Sequence, residues 1–140
     1  MNTPHAADSL QELESSFRAT VSYLQGCQII TEAQFKQYIQ LVQRIQKCHQ
    51  KNKTMETRKL FRECLRYFIK EFAQFGNTRQ YVKIAFVYVR MFQDPTQILQ
   101  YLKSHLVTPN EELTVQEALY WFYYQKDSEK ALKVIDEYPD

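Results

Sequence analysis

Glycine is nearly missing from this sequence. The chain of 140 residues has 2 glycines, where ordinary usage near ~7% gives about ten. Glycine supplies the left-handed corners of hairpins, phosphate-cradling loops and nucleophile elbows. With Gly26 and Gly76 alone, no Walker loop, dinucleotide fingerprint or G-x-S-x-G elbow can be written. A turn-rich β-barrel is excluded on the same ground. Four prolines leave long helices joined by few corners. Long apolar runs are lacking too: residues 84–89 form one of the longest, far short of the ~20 residues that span a bilayer as a helix. The first residues hold no basic stretch followed by an apolar one, so no secretory signal is expected. Cysteines number 3, with no C-x-x-C spacing, which argues against a disulfide framework or zinc ribbon and suits a reducing compartment. Cys64 falls in an apolar series and reads as a small core residue. His5, His49 and His105 are far apart in sequence, and His49 beside Cys48 is poor ligand geometry on a helix. No metal, cofactor or membrane span is expected, and the chain reads as soluble and intracellular.

The net charge of +2 hides an asymmetry. Residues 44–70 carry nine basic side chains against Glu56 and Glu63, a local +7, while residues 111–140 carry eight acids against three lysines, a local −5. Arg58, Arg62, Arg66 and Lys70 step by four along one helix, a ridge suited to phosphates or an acidic protein partner. No recognition helix or stacking platform accompanies it, so it reads most simply as the solvated side of an amphipathic helix.

Apolar residues recur at helical spacing throughout. Leu10, Leu13, Phe17, Val21 and Leu24 form one stripe, closed by Gly26. Thr31 opens the next helix with Gln34 at capping-box spacing, and its stripe is Phe35, Tyr38, Ile39, Val42 and Ile45. A third runs from Leu60 to Phe72. Residues 81–89 have the β-branched and aromatic content of a strand but are read as a buried helix, because their mates 34 residues on are helical in pattern: Tyr81, Ile84, Ala85 and Tyr88 correspond to Val115, Ala118, Leu119 and Phe122. Asp94-Pro95 starts a fifth helix, carried by Ile98, Leu99, Leu102 and Leu106. Thr108-Pro109-Asn110-Glu111 is read as a repeat of that signature, with Thr108 as cap and Glu111 completing its box. Asp127 and Ser128 start the last helix, with Ala131, Val134, Ile135 and Tyr138 facing inward. Trp121, Phe122, Tyr123 and Tyr124 stand in a row and cannot all face one core, so two are expected at the surface, where aromatics serve as interface anchors. The sum is an all-α, right-handed stack of about seven helices. Its two helix pairs at a 34-residue period have the spacing of tetratricopeptide-type repeats. Residues 1–30 supply a helix packing on the repeats, and residues 31–140 the repeat domain.

Residues 31–138 resemble the N-terminal tetratricopeptide-like domain of the Bub and Mad3 spindle-checkpoint proteins. The resemblance rests on Asn77 followed by Tyr81-Val82-Lys83-Ile84, on Asp94-Pro95 with Ile98 and Tyr101-Leu102, on the stretch from Phe35 to Gln40, and on Ser128-Glu129-Lys130-Ala131 with Val134. The chain departs from the family pattern at Ala85, at Ala118-Leu119 and at Leu106-Val107-Thr108. No Lys-Glu-Asn tripeptide occurs, which favours the kinase-type Bub branch or a divergent copy. The resemblance implies a non-enzymatic module that takes a short amphipathic helix from the kinetochore scaffold protein Blinkin. It also implies docking at Ala85, Tyr88 and Leu119, with Met91 one turn beyond Tyr88, and residence at kinetochores in mitosis. Residues 81–92 are apolar nearly all round, which fits either a centrally buried helix or one open to a partner. A tetratricopeptide adaptor for another partner, or nucleic-acid binding through the basic ridge, are the alternatives. Any kinase domain lies outside these residues.

Overall fold

A computed structural model describes residues 9–92 and 95–139. Seven α-helices run through them: α1 (Leu10–Gln25), α2 (Glu32–Lys51), α3 (Met55–Glu71), α4 (Arg79–Met91), α5 (Pro95–His105), α6 (Glu111–Leu119) and α7 (Ser128–Asp136). No strand occurs among the described residues. The all-α reading holds, including the helix over residues 81–89, whose β-branched side chains follow the helical packing of their neighbours rather than their own propensity. The chain divides into two compact units, residues 1–68 and 69–140, with the division inside α3.

In the first unit, Leu13, Phe17 and Leu24 of α1 are buried, as are Phe35, Tyr38, Ile39, Leu41, Val42 and Ile45 of α2. The α3 stripe supplies Leu60, Phe61, Cys64, Leu65 and Phe68. Phe68 stacks near both Phe35 and Tyr38, with ring centroids 5.8 and 5.9 Å apart. The Tyr38 hydroxyl donates to the Cys64 carbonyl at 2.7 Å, which satisfies a buried polar group that would otherwise cost about 1–3 kcal/mol. Burial raises the pKa of Tyr38 and pushes the Cys64 thiol up to about 12, so both stay protonated as core residues. At the start of α2 the Thr31 hydroxyl accepts from Gln34 N–H while the Gln34 side chain accepts from Thr31 N–H, the expected capping box. At the α2–α3 corner, His49 is buried with Nδ1 2.8 Å from the Thr57 hydroxyl. Burial, then the nearby charges of Arg58 and Lys53, lower its pKa.

The second unit is a pair of helical hairpins, α4 with α5 and α6 with α7, joined through contact of α4 with α6. After α3 a short 3-10 turn, Ala73–Phe75, leads to Gly76, and Thr78 caps α4 by accepting from Tyr81 N–H. The Tyr81 hydroxyl donates to the Ile69 carbonyl at 2.5 Å. The Asp94 cap lies outside the described residues; α5 begins at Pro95, and Leu99, Leu102 and Leu106 are buried as expected. The Thr108 cap is corrected. Asn110 caps α6, its Oδ1 accepting from Leu113 N–H at 3.0 Å while its Nδ2 donates to the Gly76 carbonyl at 2.9 Å. An amide can make both bonds at once, and a threonine hydroxyl two residues earlier reaches neither partner.

Gly76 marks a close approach: a Cβ there would stand 2.0 Å from Leu106 Cδ2 and 2.9 Å from the Ala73 carbonyl oxygen. Gly76→Ala is therefore expected to lower stability by about 1–3 kcal/mol in urea unfolding. Gly26→Ala meets only the Tyr23 carbonyl, at 3.5 Å, in a right-handed conformation with φ −84°. It should be neutral or slightly stabilising. His49 gives a pH signature. With its folded pKa below the ordinary 6.5, the unfolded chain takes up the proton first, so stability present above that value is lost as pH falls. His49→Gln should flatten the decline in urea midpoint between about pH 7 and 5.

Candidate functional site

An open apolar feature lies on the α6–α7 hairpin. Asn110 sets the start of α6, and after Leu119 the backbone widens into a π-helical turn, Tyr120–Tyr124. Gln125 N–H bonds the Tyr120 carbonyl at 3.2 Å and Asp127 N–H the Trp121 carbonyl at 2.8 Å. Lys126 reverses the chain with φ 54°, and Asp127 caps α7 by accepting from Lys130 N–H. The extra backbone of a π turn rotates the residues that follow, and such turns concentrate at functional positions. Here the rotation separates the aromatic row: Tyr120 is buried and Trp121 half-buried, whereas Phe122, Tyr123 and Tyr124 are exposed. Three of the four consecutive aromatics from Trp121 to Tyr124 thus reach the surface rather than two.

The inner side of the hairpin is pinned by polar contacts. Glu117 is buried, yet Lys103 Nζ stands 2.8 Å from its carboxylate and Trp121 Nε1 donates to it at 3.2 Å. Lys130 lies over the Trp121 ring, 4.5 Å from its centroid. Gln125 Nε2 donates to the Tyr120 hydroxyl at 2.6 Å. On the far edge of α6, Arg79 pairs with Glu112 at 3.2 Å, the Gln116 amide donates to Glu112 at 2.9 Å, and Arg90 donates to Gln116 at 3.3 Å.

The outer side of the hairpin is an apolar groove of about 690 Å³. Its walls are Val115, Ala118, Leu119, Phe122 and Tyr123 from α6 and the π turn, and Ala131, Leu132, Ile135 and Tyr138 from α7 and the residues after it. Glu111, Thr114 and Ser128 complete the lining. Leu119 is 42% exposed, Phe122 51%, Leu132 60% and Ile135 52%. Large apolar side chains gathered at this exposure, rather than scattered singly, are the mark of a binding surface. Such a groove offers shape and apolar area to a bound molecule, with Glu111, Thr114 and Ser128 at its polar margin.

The sequence-derived docking residues divide. Leu119 lines the groove. Ala85 and Tyr88 are 0% and 1% exposed, and Met91 is half-buried. The Tyr88 ring packs 5.1 Å from Phe92, so docking at Ala85 and Tyr88 is corrected: that seam is closed by the chain's own side chains. Ile135, expected inward, faces the groove, because Ala131 alone of the α7 stripe is buried. Phe122 and Tyr123 come from the aromatic row expected to supply interface anchors; Leu132 and Val115 are not among the sequence-derived site residues, and for Leu132 the available signal is an α7 sequence apolar over more than the one stripe its length can bury. Arg58, Arg62, Arg66 and Lys70 are all exposed on α3. Among the described residues no group of three or more His, Cys, Asp and Glu side chains is placed to hold a metal. Comparison of the chain with protein-family models, with curated proteins and with solved structures gives no match in any of the three.

The two faces predict opposite responses to a charge. Tyr88→Glu places a carboxylate in a fully buried site and is expected to unfold the second unit, with loss of helical circular dichroism. Leu132→Glu lies in open groove and should keep both circular dichroism and urea midpoint within about 0.5 kcal/mol of the parent chain.

Proposed function

We propose that this chain is a non-enzymatic protein-docking module whose α6–α7 groove receives a short helix of a partner protein. The observation that carries the reading is the gathering of Leu119, Phe122, Leu132 and Ile135, each about half exposed, along one groove. A helix laid between two others is a common occupant of such a seam, and it inserts anchors at i, i+3 or i+4 and i+7. α6 is nine residues long and α7 nine, which gives about 13 Å of groove, or somewhat more than two helical turns.

The cellular role we propose follows the resemblance to the Bub and Mad3 proteins: the module places a spindle-checkpoint protein at kinetochores by binding a helical motif of the scaffold there. Supporting it, the residues that carry the resemblance fall on helices in the order the family has them: Tyr81-Val82-Lys83-Ile84 on α4, Tyr101-Leu102 on α5 and Ser128-Glu129-Lys130-Ala131 at the start of α7. The partner-facing surface in this reading is the α6–α7 groove, with Leu119 the one family contact position it retains.

The test uses the full chain, fluorescently tagged, in mitotic cells. The parent chain is expected at kinetochores, and Leu119→Glu together with Leu132→Glu is expected to reduce that signal at least about tenfold, the effect of losing two buried anchors. Undiminished recruitment of the double variant removes the groove from the function. Absence of the parent chain from kinetochores removes the checkpoint role.

A further inference from the structure

The groove has a charge polarity of its own, and this polarity specifies the occupant more narrowly than its apolar walls do. On α7, successive residues turn by about 100°, which sets Glu129 and Asp136 directly beside Leu132, three residues before it and four after. Lys133, four residues after Glu129 and three before Asp136, flanks both on the side away from Leu132, and Lys130 is on the opposite side of the helix against Trp121. Glu111 lines the groove at the start of α6. Glu111, Glu129 and Asp136 are all exposed, and none has an ion-pair partner among the described residues. The facing edge of α6 differs: Glu112 there is already held by Arg79 and Gln116. Unpaired negative charge at the groove therefore stands at Glu111, where α6 begins, and at Glu129 and Asp136 along the α7 edge.

The register of the walls identifies the occupant as a helix. Val115, Leu119 and Phe122 stand 34 residues after Tyr81, Ala85 and Tyr88. Those three α4 positions are fully buried, whereas their counterparts on α6 and the π turn are exposed. The groove is thus a helix-packing face without its helix.

We infer that the groove takes a cationic amphipathic helix, about three turns long. Its apolar face enters between Leu119 and Leu132, and Lys or Arg along one flank meets Glu129 and Asp136. Those two carboxylates are seven residues apart, about 10 Å along the helix, so the basic residues stand at i and i+7 of the partner. This rests on the reading of the groove as a helix-docking site and adds the chemistry of what docks.

The experiment measures fluorescence anisotropy of two synthetic peptides of about 14 residues, a length that is marginally helical alone, against the full chain. Both carry leucines at helical anchor spacing; one has Lys at the two flank positions and the other has Glu. The Lys peptide is expected to bind at least about tenfold more tightly in ~0.1 M salt, with the preference falling below about twofold in ~1 M salt. Glu129→Lys with Asp136→Lys should reverse the preference, and Leu132→Glu should abolish binding of both peptides. Equal affinities, unchanged by the double lysine variant, overturn the cationic assignment while leaving the helix-docking reading intact. Failure of both peptides to bind overturns both. A dimer seen by sedimentation and dissolved by Leu132→Glu identifies a second copy of this chain as the occupant and overturns the proposal.

Discussion

Helices of nine residues do not persist alone in water, where isolated helices below about 12–15 residues are marginal. α6 and α7 are both of that length, so each exists only because it packs on something else. Leu113, Ala118 and Ala131 are their buried apolar contacts, and Glu117 is the buried polar one. Lys103 from α5 and Trp121 from the π turn converge on that carboxylate. Removing one partner from a buried charge is more damaging than never having buried it, which makes this contact a determinant of how the hairpin is set. With its inner side committed in this way, the hairpin has no residues left to cover its outer side. The groove is the consequence.

Tyrosine hydroxyls elsewhere in the molecule, buried at Tyr38 and Tyr81 and half-buried at Tyr101, follow the same economy of partners. Tyr38 donates to the Cys64 carbonyl, and Tyr81 and Tyr101 donate to the carbonyls of Ile69 and Lys70. Burial raises the pKa of each of these three tyrosines, with the Tyr101 ring stacked 4.0 Å from His105. They act as struts between helices: an apolar ring fills space and a hydroxyl at its tip meets a backbone acceptor.

Much of the architecture was legible because it is local. The stripe from Leu60 to Phe72, the capping box at Thr31 and Gln34, and the Asp127 cap are each determined within a few residues. The helical state of residues 81–89 was recoverable only by comparison with residues 115–122, since a short apolar run does not distinguish helix from strand by itself. The Thr108 cap failed for a reason beyond local pattern: Asn110 also has a partner in Gly76, 34 residues away, and that second bond moves the helix start. The docking position failed likewise. Tyr88 and Phe122 occupy equivalent places in the repeat, and pattern alone gives no way to tell which is covered.

What the sequence by itself determined is which residues are helical and which face of each helix is apolar, because periodicity and caps are properties of short stretches. What only the tertiary structure decided is which apolar faces are covered. Burial depends on neighbours distant in sequence, and the same helical stripe is a core at Tyr88 and a surface at Phe122. The groove at Leu119 and Leu132 exists because α6 and α7 face each other with their inner contacts already made, a condition that no single stretch of the chain contains.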